Sequence, residues 1–259
     1  MNVRVGDVDL RLFLPSGNWD YLYPPASGEV AAEVTFDYCK TPLEYKEPVF
    51  DPDINKLTMY FQIDIDERPL SNEDELRGNV AFLVGIISKR FWFIRAAGFI
   101  YKDKGIVLIG KSGSGKSTLV SLFEEALVID DDLLFTDGSI MRRVSNIGTK
   151  LSLTNNSIER LHDDIEEHMI DYIFLLDNQK HPDYSKSINQ RTIPHELTFD
   201  DRLPESFFLC YSKKPPVPVS CPVFEIGTKS QPSVSKEMIE AIVSPPPPLD
   251  IPLPASPQF

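Results

Sequence analysis

The amino-acid sequence predicts an α/β fold built on a mixed β-sheet, with a β-rich section in front of it. Three observations support this prediction. Residues 1–90 contain short runs in which apolar and polar residues alternate, as they do in half-buried strands. The turn KDKG joins two apolar runs and predicts an antiparallel strand pair. The run IVLI, at residues 106–109, leads through a glycine-rich loop into a helical pattern, which is typical of α/β proteins.

The front section is predicted to contain several strands followed by one helix. The strand patterns are VRVGDVDLRLFL, EVAAEVTFDY and KLTMYFQIDI, with turn residues between them. From residue 73 the apolar spacing becomes helical, through Leu76, Val80 and Leu83. FWFIRAAGFIY, at residues 91–101, then predicts a strand that pairs with the strand entering the glycine-rich loop.

The second half of the chain is predicted to alternate strands and turns with two helices. ALVIDDDLLF and IMRRVS predict strands on either side of the turn TDGS. NSIERLHDDIEEHM predicts a helix with a solvated acidic face, DYIFLLDN a buried strand and SKEMIEAIV a short helix. The last sixteen residues include seven prolines, so this tail is expected to be extended, and it either is inert or docks a partner.

Composition excludes several classes of function. The formal net charge of −13 would repel nucleic acid rather than attract it. No apolar run approaches the length of about 20 residues that a membrane span needs. The three cysteines, Cys39, Cys210 and Cys221, are odd in number and widely spaced, which argues against a disulfide framework or a zinc site. We therefore expect a soluble cytoplasmic protein with no nucleic-acid or membrane partner.

The stretch GKSGSGKST, at residues 110–118, matches the phosphate-binding pattern G-x-x-x-x-G-K-[ST], called the P-loop. Its glycines would permit positive φ and let backbone amides approach an anion, and a helix dipole would lie under the same anion. A glycine-rich turn without a ligand is the alternative. The predicted nucleotide-binding residues are Gly110, Lys111, Ser112, Gly113, Ser114, Gly115, Lys116, Ser117 and Thr118.

Two side chains of this loop have specific predicted roles. Lys116 would reach the β- and γ-phosphates, and the hydroxyl of Ser117 would ligate Mg²⁺. The predicted cofactors are therefore ATP and Mg²⁺.

Three adjacent aspartates, Asp130, Asp131 and Asp132, end the strand that follows the loop helix. In a P-loop fold this position faces the γ-phosphate and its metal. One carboxylate there can hold Mg²⁺ while another accepts the proton of an attacking hydroxyl, which is kinase chemistry. An acidic turn is the alternative. If the chain stays extended, Asp130 and Asp132 share a face and Asp131 points away.

The segment IRAAGFIYKDKGIVLIGKSGSGKSTLVSLFEEALVIDDDLLF resembles the catalytic core of the HPr kinase/phosphorylase family and its smaller relatives. That family shares a superfamily with phosphoenolpyruvate carboxykinase. The resemblance covers about residues 91–135 and implies that residues 110–117 bind ATP. It also implies that Asp131 and Asp132 are the family's aspartate pair, one a metal ligand and the other the base that activates a serine hydroxyl.

The sequence departs from the family at two points. Arg95 stands where relatives usually carry a histidine, and it would either neutralise charge on the γ-phosphate or serve in a surface or ion-pair role. The late glycine-rich signature of the full-length enzymes has no match here, so the resemblance implies neither HPr as the substrate nor the reverse reaction.

The sequence and the resemblance together predict a kinase with Lys116, Asp131, Asp132 and Arg95 as catalytic residues and with Ser117, Asp131 and Asp132 as metal ligands. Its fold would be the mixed-sheet P-loop core of the HPr kinase and phosphoenolpyruvate carboxykinase type. The expected parts are a β-rich section at 1–90, the kinase core at 91–228, and a short helix with the proline-rich tail at 229–259.

The acceptor is expected to be a hydroxyl of a protein, a peptide or a small molecule, and a homo-oligomer stays open. A small-metabolite kinase and a non-catalytic ATP-binding module are the alternatives. A transporter-type ATPase fits poorly, because Asp177 is followed by Asn178 instead of glutamate and no signature segment precedes it.

Overall fold

The computed structural model describes residues 1–13, 23–39, 48–62, 73–111, 113–145, 165–189, 191–193, 210–211 and 213–244. It has an α/β architecture with mixed sheets and few helices, as the sequence predicts. Among these residues, the helices are too short or too polar to cross a membrane. The proline-rich tail from residue 245 onward lies outside the described residues.

A five-stranded sheet forms the N-terminal part and confirms its β-rich character, although a turn at Gly6 and Asp7 divides VRVGDVDLRLFL into two paired strands. Its strands are β1 Asn2–Val5, β2 Val8–Phe13, β3 Ala32–Cys39, β4 Val49–Asp51 and β5 Lys56–Gln62. The order is β1-β2-β3-β5-β4, with β3 parallel to both of its neighbours and with antiparallel pairs at the two edges. The sequence did not predict β4, because a strand of three residues shows too little alternation to detect.

The predicted helix after this sheet is α1, Glu73–Ile87. Phe82 of α1 packs in one hydrophobic cluster with Leu10 and Leu57 of the N-terminal sheet and with Phe93 and Phe135 from beyond residue 90. The rings of Phe82 and Phe93 meet edge to face, with centroids 5.0 Å apart. Residues on both sides of position 90 therefore share one core.

A six-stranded sheet forms the centre of the protein. Its strands are β7 Ala96–Tyr101, β8 Lys104–Ile109, β9 Leu127–Asp130, β13 Tyr172–Asp177, β14 Ser185–Ile188 and β17 Val223–Gly227. The order is β14-β17-β13-β8-β7-β9, and the predicted hairpin of β7 with β8 is confirmed. Strands β9, β8, β13 and β17 all run in one direction, so their carboxyl ends lie at the same edge. We call this the carboxyl edge.

Two smaller sheets complete the described strands. The first has the order β12-β11-β10-β6 and consists of β6 Trp92–Ile94, β10 Leu134–Thr136, β11 Ile140–Arg143 and β12 Glu167–Met169. The second pairs β15 Thr192–Ile193 with β16 Val217–Pro218.

The single strand predicted from FWFIRAAGFIY is wrong, because the segment divides at Arg95 into β6 and β7. Strand β6 pairs with β10, whereas β7 pairs with β8 and β9. Both halves consist almost entirely of buried residues, so the apolar sequence pattern could not show that they belong to different sheets.

The loop helix is shorter than its pattern predicts. Helix α2 covers Lys116–Ser121 only, after which tight turns lead from Leu122 to Ala126. These turns carry the ring of Phe123 between Phe99 and Tyr101 of β7, at centroid distances of 5.1 and 5.0 Å. Aromatic packing against the sheet thus replaces the last predicted helical turn. Helix α2 has only six residues, which is too short for the predicted helix dipole to support an anion site.

The helix predicted from NSIERLHDDIEEHM is wrong at its end, where Glu167–Met169 form strand β12, and residues 146–164 lie outside the described residues. This strand pairs antiparallel with β11, with His168 opposite Met141, and Arg142 of β11 forms ion pairs with Glu166 at 3.1 Å and with Glu167 at 3.6 Å. Pairing with β11 therefore overrides the local helical pattern. The last predicted helix is confirmed as α3, Pro232–Val243, with proline in its first turn.

Lys214 binds the C-terminal end of α1 and the segment that follows it. Its ammonium donates to the carbonyl oxygens of Gly85 at 2.5 Å, Ser88 at 2.8 Å and Phe91 at 3.0 Å. Burial lowers the pKa of Lys214 to about 8, and the negative charge of Asp7 opposes that shift. One side chain thus supplies donors to the last carbonyls of a helix and to the chain that follows it.

We predict that Lys214→Met lowers the free energy of unfolding by about 1–3 kcal/mol, because the carbonyls lose a charged donor while the apolar stem is kept. The neighbouring exposed Lys213 provides the matched control, and Lys213→Met should leave stability unchanged. Urea unfolding followed by circular dichroism measures both variants. Equal midpoints for the two would show that the three hydrogen bonds contribute nothing net.

Candidate functional site

The glycine-rich loop leaves the sheet at the end of β8 and returns as α2. Gly113 has φ 77° and Gly115 has φ 91°, in the left-handed region that favours glycine. Gly110 does not have a positive φ, so that part of the prediction is wrong. Glycine is needed at Gly110 for close packing, since a Cβ there would lie 2.5 Å from the Oγ of Ser114. Ser112 lies outside the described residues.

Lys116 folds back over the loop that it follows. It is only 7% exposed, and its ammonium donates to the carbonyl oxygens of Gly110 at 2.7 Å and Lys111 at 3.2 Å. These two hydrogen bonds help to hold the largely buried ammonium in place. Phosphate oxygens arriving at the loop would offer this cation stronger acceptors than carbonyls.

The segment after β17 holds the loop from the other side. The hydroxyl of Thr228 donates to the carbonyl oxygen of Ser114 at 2.9 Å, and the Thr228 N–H donates to the carbonyl oxygen of Asp177 at 3.0 Å. Thr228 therefore ties the glycine-rich loop to the ends of β13 and β17. No local sequence pattern points to Thr228, because the contact spans more than a hundred positions.

The contacts of Asp130 indicate a structural role for this residue. Its carboxylate pairs with Arg77 of α1 at 3.3 Å, and its Oδ1 accepts the N–H groups of Asp132 and Leu133, each at 3.1 Å. Both charged side chains are buried. Burial raises the pKa of Asp130 to about 7, and Arg77 opposes that rise. This aspartate therefore anchors the turn to α1.

The other two aspartates differ from Asp130 and from each other. Strand β9 ends at Asp130, so the extended arrangement in which Asp131 alone points away is wrong. Asp131 is only 1% exposed. The side chain of Asp132 is 28% exposed, and it pairs with Nε of Arg95 at 3.1 Å. Of the two roles foreseen for Arg95, an ion pair is the one present in the structure.

The glycine-rich loop and the aspartates share the carboxyl edge. Strands β8 and β9 flank β7, so their ends lie about 10 Å apart at two strand spacings. The register pairs Ala96 with Ile109 on one side of β7 and Gly98 with Asp130 on the other. Arg95, which precedes β7, lies at this edge as well. The fold thus brings together the loop, Arg95 and Asp131–Asp132, as loops at strand ends do in α/β proteins.

Arg77 is another residue that the sequence patterns did not identify. It lies on the apolar face of α1 and donates to Asp130 and to Ser145 Oγ, the latter at 2.7 Å. A single arginine at a position where helical spacing predicts burial was the available signal, because a buried guanidinium requires acceptors.

Magnesium is the metal whose preferences the local donors match. Ser117, Asp131 and Asp132 supply the hydroxyl and carboxylate oxygens that Mg²⁺ favours, but no cluster of three His, Cys, Asp or Glu side chains in the described part of the chain could hold a metal. Mg²⁺ is commonly bound by one or two carboxylates together with substrate phosphates. The donor set therefore fits a metal that arrives with a nucleotide.

The described cysteines carry no reactive chemistry that the structure shows. Cys210 and Cys221 are both free thiols and half-buried. Burial raises the pKa of Cys221 to about 11, so this thiol stays protonated at neutral pH.

Comparison with known proteins finds similarity in structure but none in sequence. No protein-family model matches the chain, and no curated protein matches its sequence. Among solved structures, the chain is similar to the HPr(Ser) kinase/phosphatase from Coxiella burnetii, with 13% sequence identity and a TM-score of 0.37. The match covers 60% of this chain and 88% of that one. At this TM-score no correspondence of individual residues follows, and the site is interpreted from its own geometry.

Proposed function

We propose that the protein is an ATP- and Mg²⁺-dependent kinase of the HPr-kinase-like P-loop type, which transfers the γ-phosphate to a hydroxyl. The resemblance of the sequence favours a serine of a protein or peptide as the acceptor. One observation carries the proposal: the buried Lys116 lies on a glycine-rich loop at the same sheet edge as Asp131 and Asp132. Phosphoryl transfer needs a cation that binds the phosphates and carboxylates that hold the metal and accept a proton.

The loop is proposed to bind the phosphates through its backbone amides and through Lys116. Gly113 and Gly115 hold positive φ values, a conformation that anion-binding loops use to aim N–H groups at a phosphate. Lys116 would exchange the carbonyls of Gly110 and Lys111 for phosphate oxygens, and the loop would then close around the anion.

The carboxylates of Asp131 and Asp132 are proposed to take two different roles, metal binding and proton acceptance. A bound Mg²⁺ would neutralise charge on the phosphates, held by Ser117 and by one of the two carboxylates of Asp131 and Asp132. The other carboxylate would accept the proton of the attacking hydroxyl. Asp132 is the more exposed of the two, and its ion pair with Arg95 fixes its orientation.

The geometry also supports a second function, a non-catalytic module that responds to ATP. Asp131 is almost fully buried and the partly exposed Asp132 is paired with Arg95, an arrangement that does not require either carboxylate to act as a base. Such a module would bind MgATP through the same loop without transferring phosphate. A small-metabolite kinase differs from the first proposal only in its acceptor.

Incubation of the protein with γ-labelled ATP and a fractionated cell extract separates these functions. The proposed kinase transfers the label to a macromolecule, and Lys116→Ala transfers none. Label found only in small products indicates a metabolite kinase. Binding of ATP without any acid-stable labelled product, across all fractions, would favour the module and contradict the kinase.

A further inference from the structure

A cleft lined by arginines lies between the N-terminal sheet and the four-stranded sheet. Arg4 of β1 lines one side, and Arg142 and Arg143 of β11 line the other, with Glu166 beside them. The cleft has room for about 20 Å³, which is enough for a water-sized polar group such as one carboxylate oxygen. Three cations against one carboxylate make the cleft positive, although the chain as a whole carries a net charge of −13.

The arginines of the cleft can accept a carboxylate from outside the chain. Arg142 pairs with Glu166 at 3.1 Å and with Glu167 at 3.6 Å, but both glutamates are about half exposed. Arg4 is also about half exposed, and it pairs with Asp9 at 3.3 Å. Water screens ion pairs at such positions, so an arriving carboxylate can replace either glutamate at little cost in free energy. A guanidinium also binds a carboxylate through two parallel hydrogen bonds.

The cleft lies beside the turn that carries the aspartates. Strands β10 and β11 pair antiparallel with Leu134 opposite Arg143, so the end of β11 lies next to the residues that follow Asp132. One strand spacing and two residues of chain separate the Cα atoms of Arg143 and Asp132, a distance of about 10 Å. An acceptor that offers its hydroxyl to Asp131 or Asp132 would therefore extend past the cleft.

A buried arginine also links the cleft to this turn. Ser145 lines the cleft, and its hydroxyl accepts the Nε–H of Arg77 at 2.7 Å. The same guanidinium donates to the carboxylate of Asp130 at 3.3 Å. The position of the cleft relative to the aspartate turn is therefore fixed by buried hydrogen bonds as well as by strand pairing.

We propose that this cleft selects acceptors with an acidic residue near the phosphorylated hydroxyl, by binding the side-chain carboxylate of a peptide or protein substrate. This inference rests on the proposed function, because it assigns the cleft to the acceptor of that kinase. An extended chain rises about 3.3 Å per residue, so the acidic residue lies about three or four residues from the acceptor serine. The net charge of the chain repels acidic partners, and the arginines supply the local attraction.

Peptides built around one serine test the inference in a transfer assay with γ-labelled ATP. Each of about four positions on either side of the serine carries Glu, Gln or Lys in turn, with neutral residues elsewhere. At one or more positions, the wild-type protein should show a kcat/KM about 10-fold higher for Glu than for Gln, because a hydrogen bond between charged groups contributes about that factor. Lys at the same position should lower kcat/KM below the value for Gln.

Substitutions in the cleft should remove this preference and leave the transfer reaction intact. Arg142→Gln and Arg4→Gln should each lower kcat/KM for the Glu peptide toward that for the Gln peptide. The rate on the Gln peptide and the affinity for MgATP should stay as in the wild type. Arg142→Lys keeps a positive charge and should keep part of the preference. Arg11→Gln is the matched control, because Arg11 is exposed and pairs with Glu33 at 3.2 Å but does not line the cleft.

Fluorescence anisotropy of the same peptides, with alanine in place of serine, measures binding without transfer. The Glu peptide should bind about 10-fold more tightly than the Gln peptide, and Arg142→Gln or about 0.5 M salt should abolish the difference. A preference that survives both Arg142→Gln and Arg4→Gln contradicts the inference. If the wild type treats Glu and Gln peptides equally in both assays, the inference is wrong, and transfer to both peptides then leaves the kinase standing. A binding preference that needs Arg142, without transfer to any peptide, supports the cleft and contradicts the proposed kinase.

Discussion

Lys116→Ala is expected to weaken MgATP binding about 10- to 100-fold while the chain stays folded, since hydrogen bonds to charged groups contribute about 1.5–3 kcal/mol. Lys116 is the one buried cation that contacts the glycine-rich loop among the described residues, and it already lies on the carbonyls of Gly110 and Lys111. Calorimetry measures the affinity, and thermal unfolding shows that the variant is folded.

Two further variants separate the loss of charge from the loss of packing. Lys116→Met keeps an apolar stem of similar length, so it should retain stability and still lose MgATP affinity. Lys186→Ala removes a lysine from the exposed strand β14 and should bind MgATP as the wild type does. Unchanged affinity in a folded Lys116→Met would show that the loop is a glycine-rich turn without a phosphate ligand.

Local patterns predicted the parts of the fold whose contacts are close in sequence. Two apolar runs around a four-residue turn predict the hairpin of β7 and β8, and a motif of nine residues identifies the glycine-rich loop. The same reasoning could not divide the segment at Arg95 between two sheets. An apolar sequence pattern indicates that a strand is buried, but not which strand it pairs with. It also extended α2 too far, since the packing of Phe123 against β7 is a tertiary contact.

In the candidate site, too, local patterns predicted some features, and tertiary contacts determine the others. The motif identified Lys116 and the aspartates as residue types suited to phosphate chemistry, but three identical neighbours gave no means of distinguishing their environments. Asp130 is set apart by Arg77, which lies 53 positions away, and Asp132 by Arg95, 37 positions away. Such long-range ion pairs depend on how the strands are ordered in the sheet, which no local pattern encodes.

Asparagine substitutions at the three aspartates should therefore give three different results. Asp130→Asn keeps the Oδ1 acceptor for the N–H groups of Asp132 and Leu133 but leaves Arg77 buried without its carboxylate. Breaking a buried ion pair in this way typically costs about 3–5 kcal/mol, so this variant should lose stability in urea unfolding. Reduced transfer in Asp130→Asn would then reflect unfolding and not chemistry.

Asp131→Asn and Asp132→Asn should both stay folded and both lose phosphoryl transfer, by about 10²- to 10⁴-fold for the variant that lacks the general base. The variant that lacks the metal ligand should lose affinity for MgATP but not for ATP without magnesium, whereas the base variant should bind MgATP normally. Calorimetry with and without Mg²⁺, beside a transfer assay with labelled ATP, assigns the two roles. Because the buried ion pair of Asp130 with Arg77 is broken only in Asp130→Asn, stability is expected to separate that variant from the other two. Full transfer in both variants would mean that the cluster is an acidic turn, and the proposed kinase mechanism would be wrong.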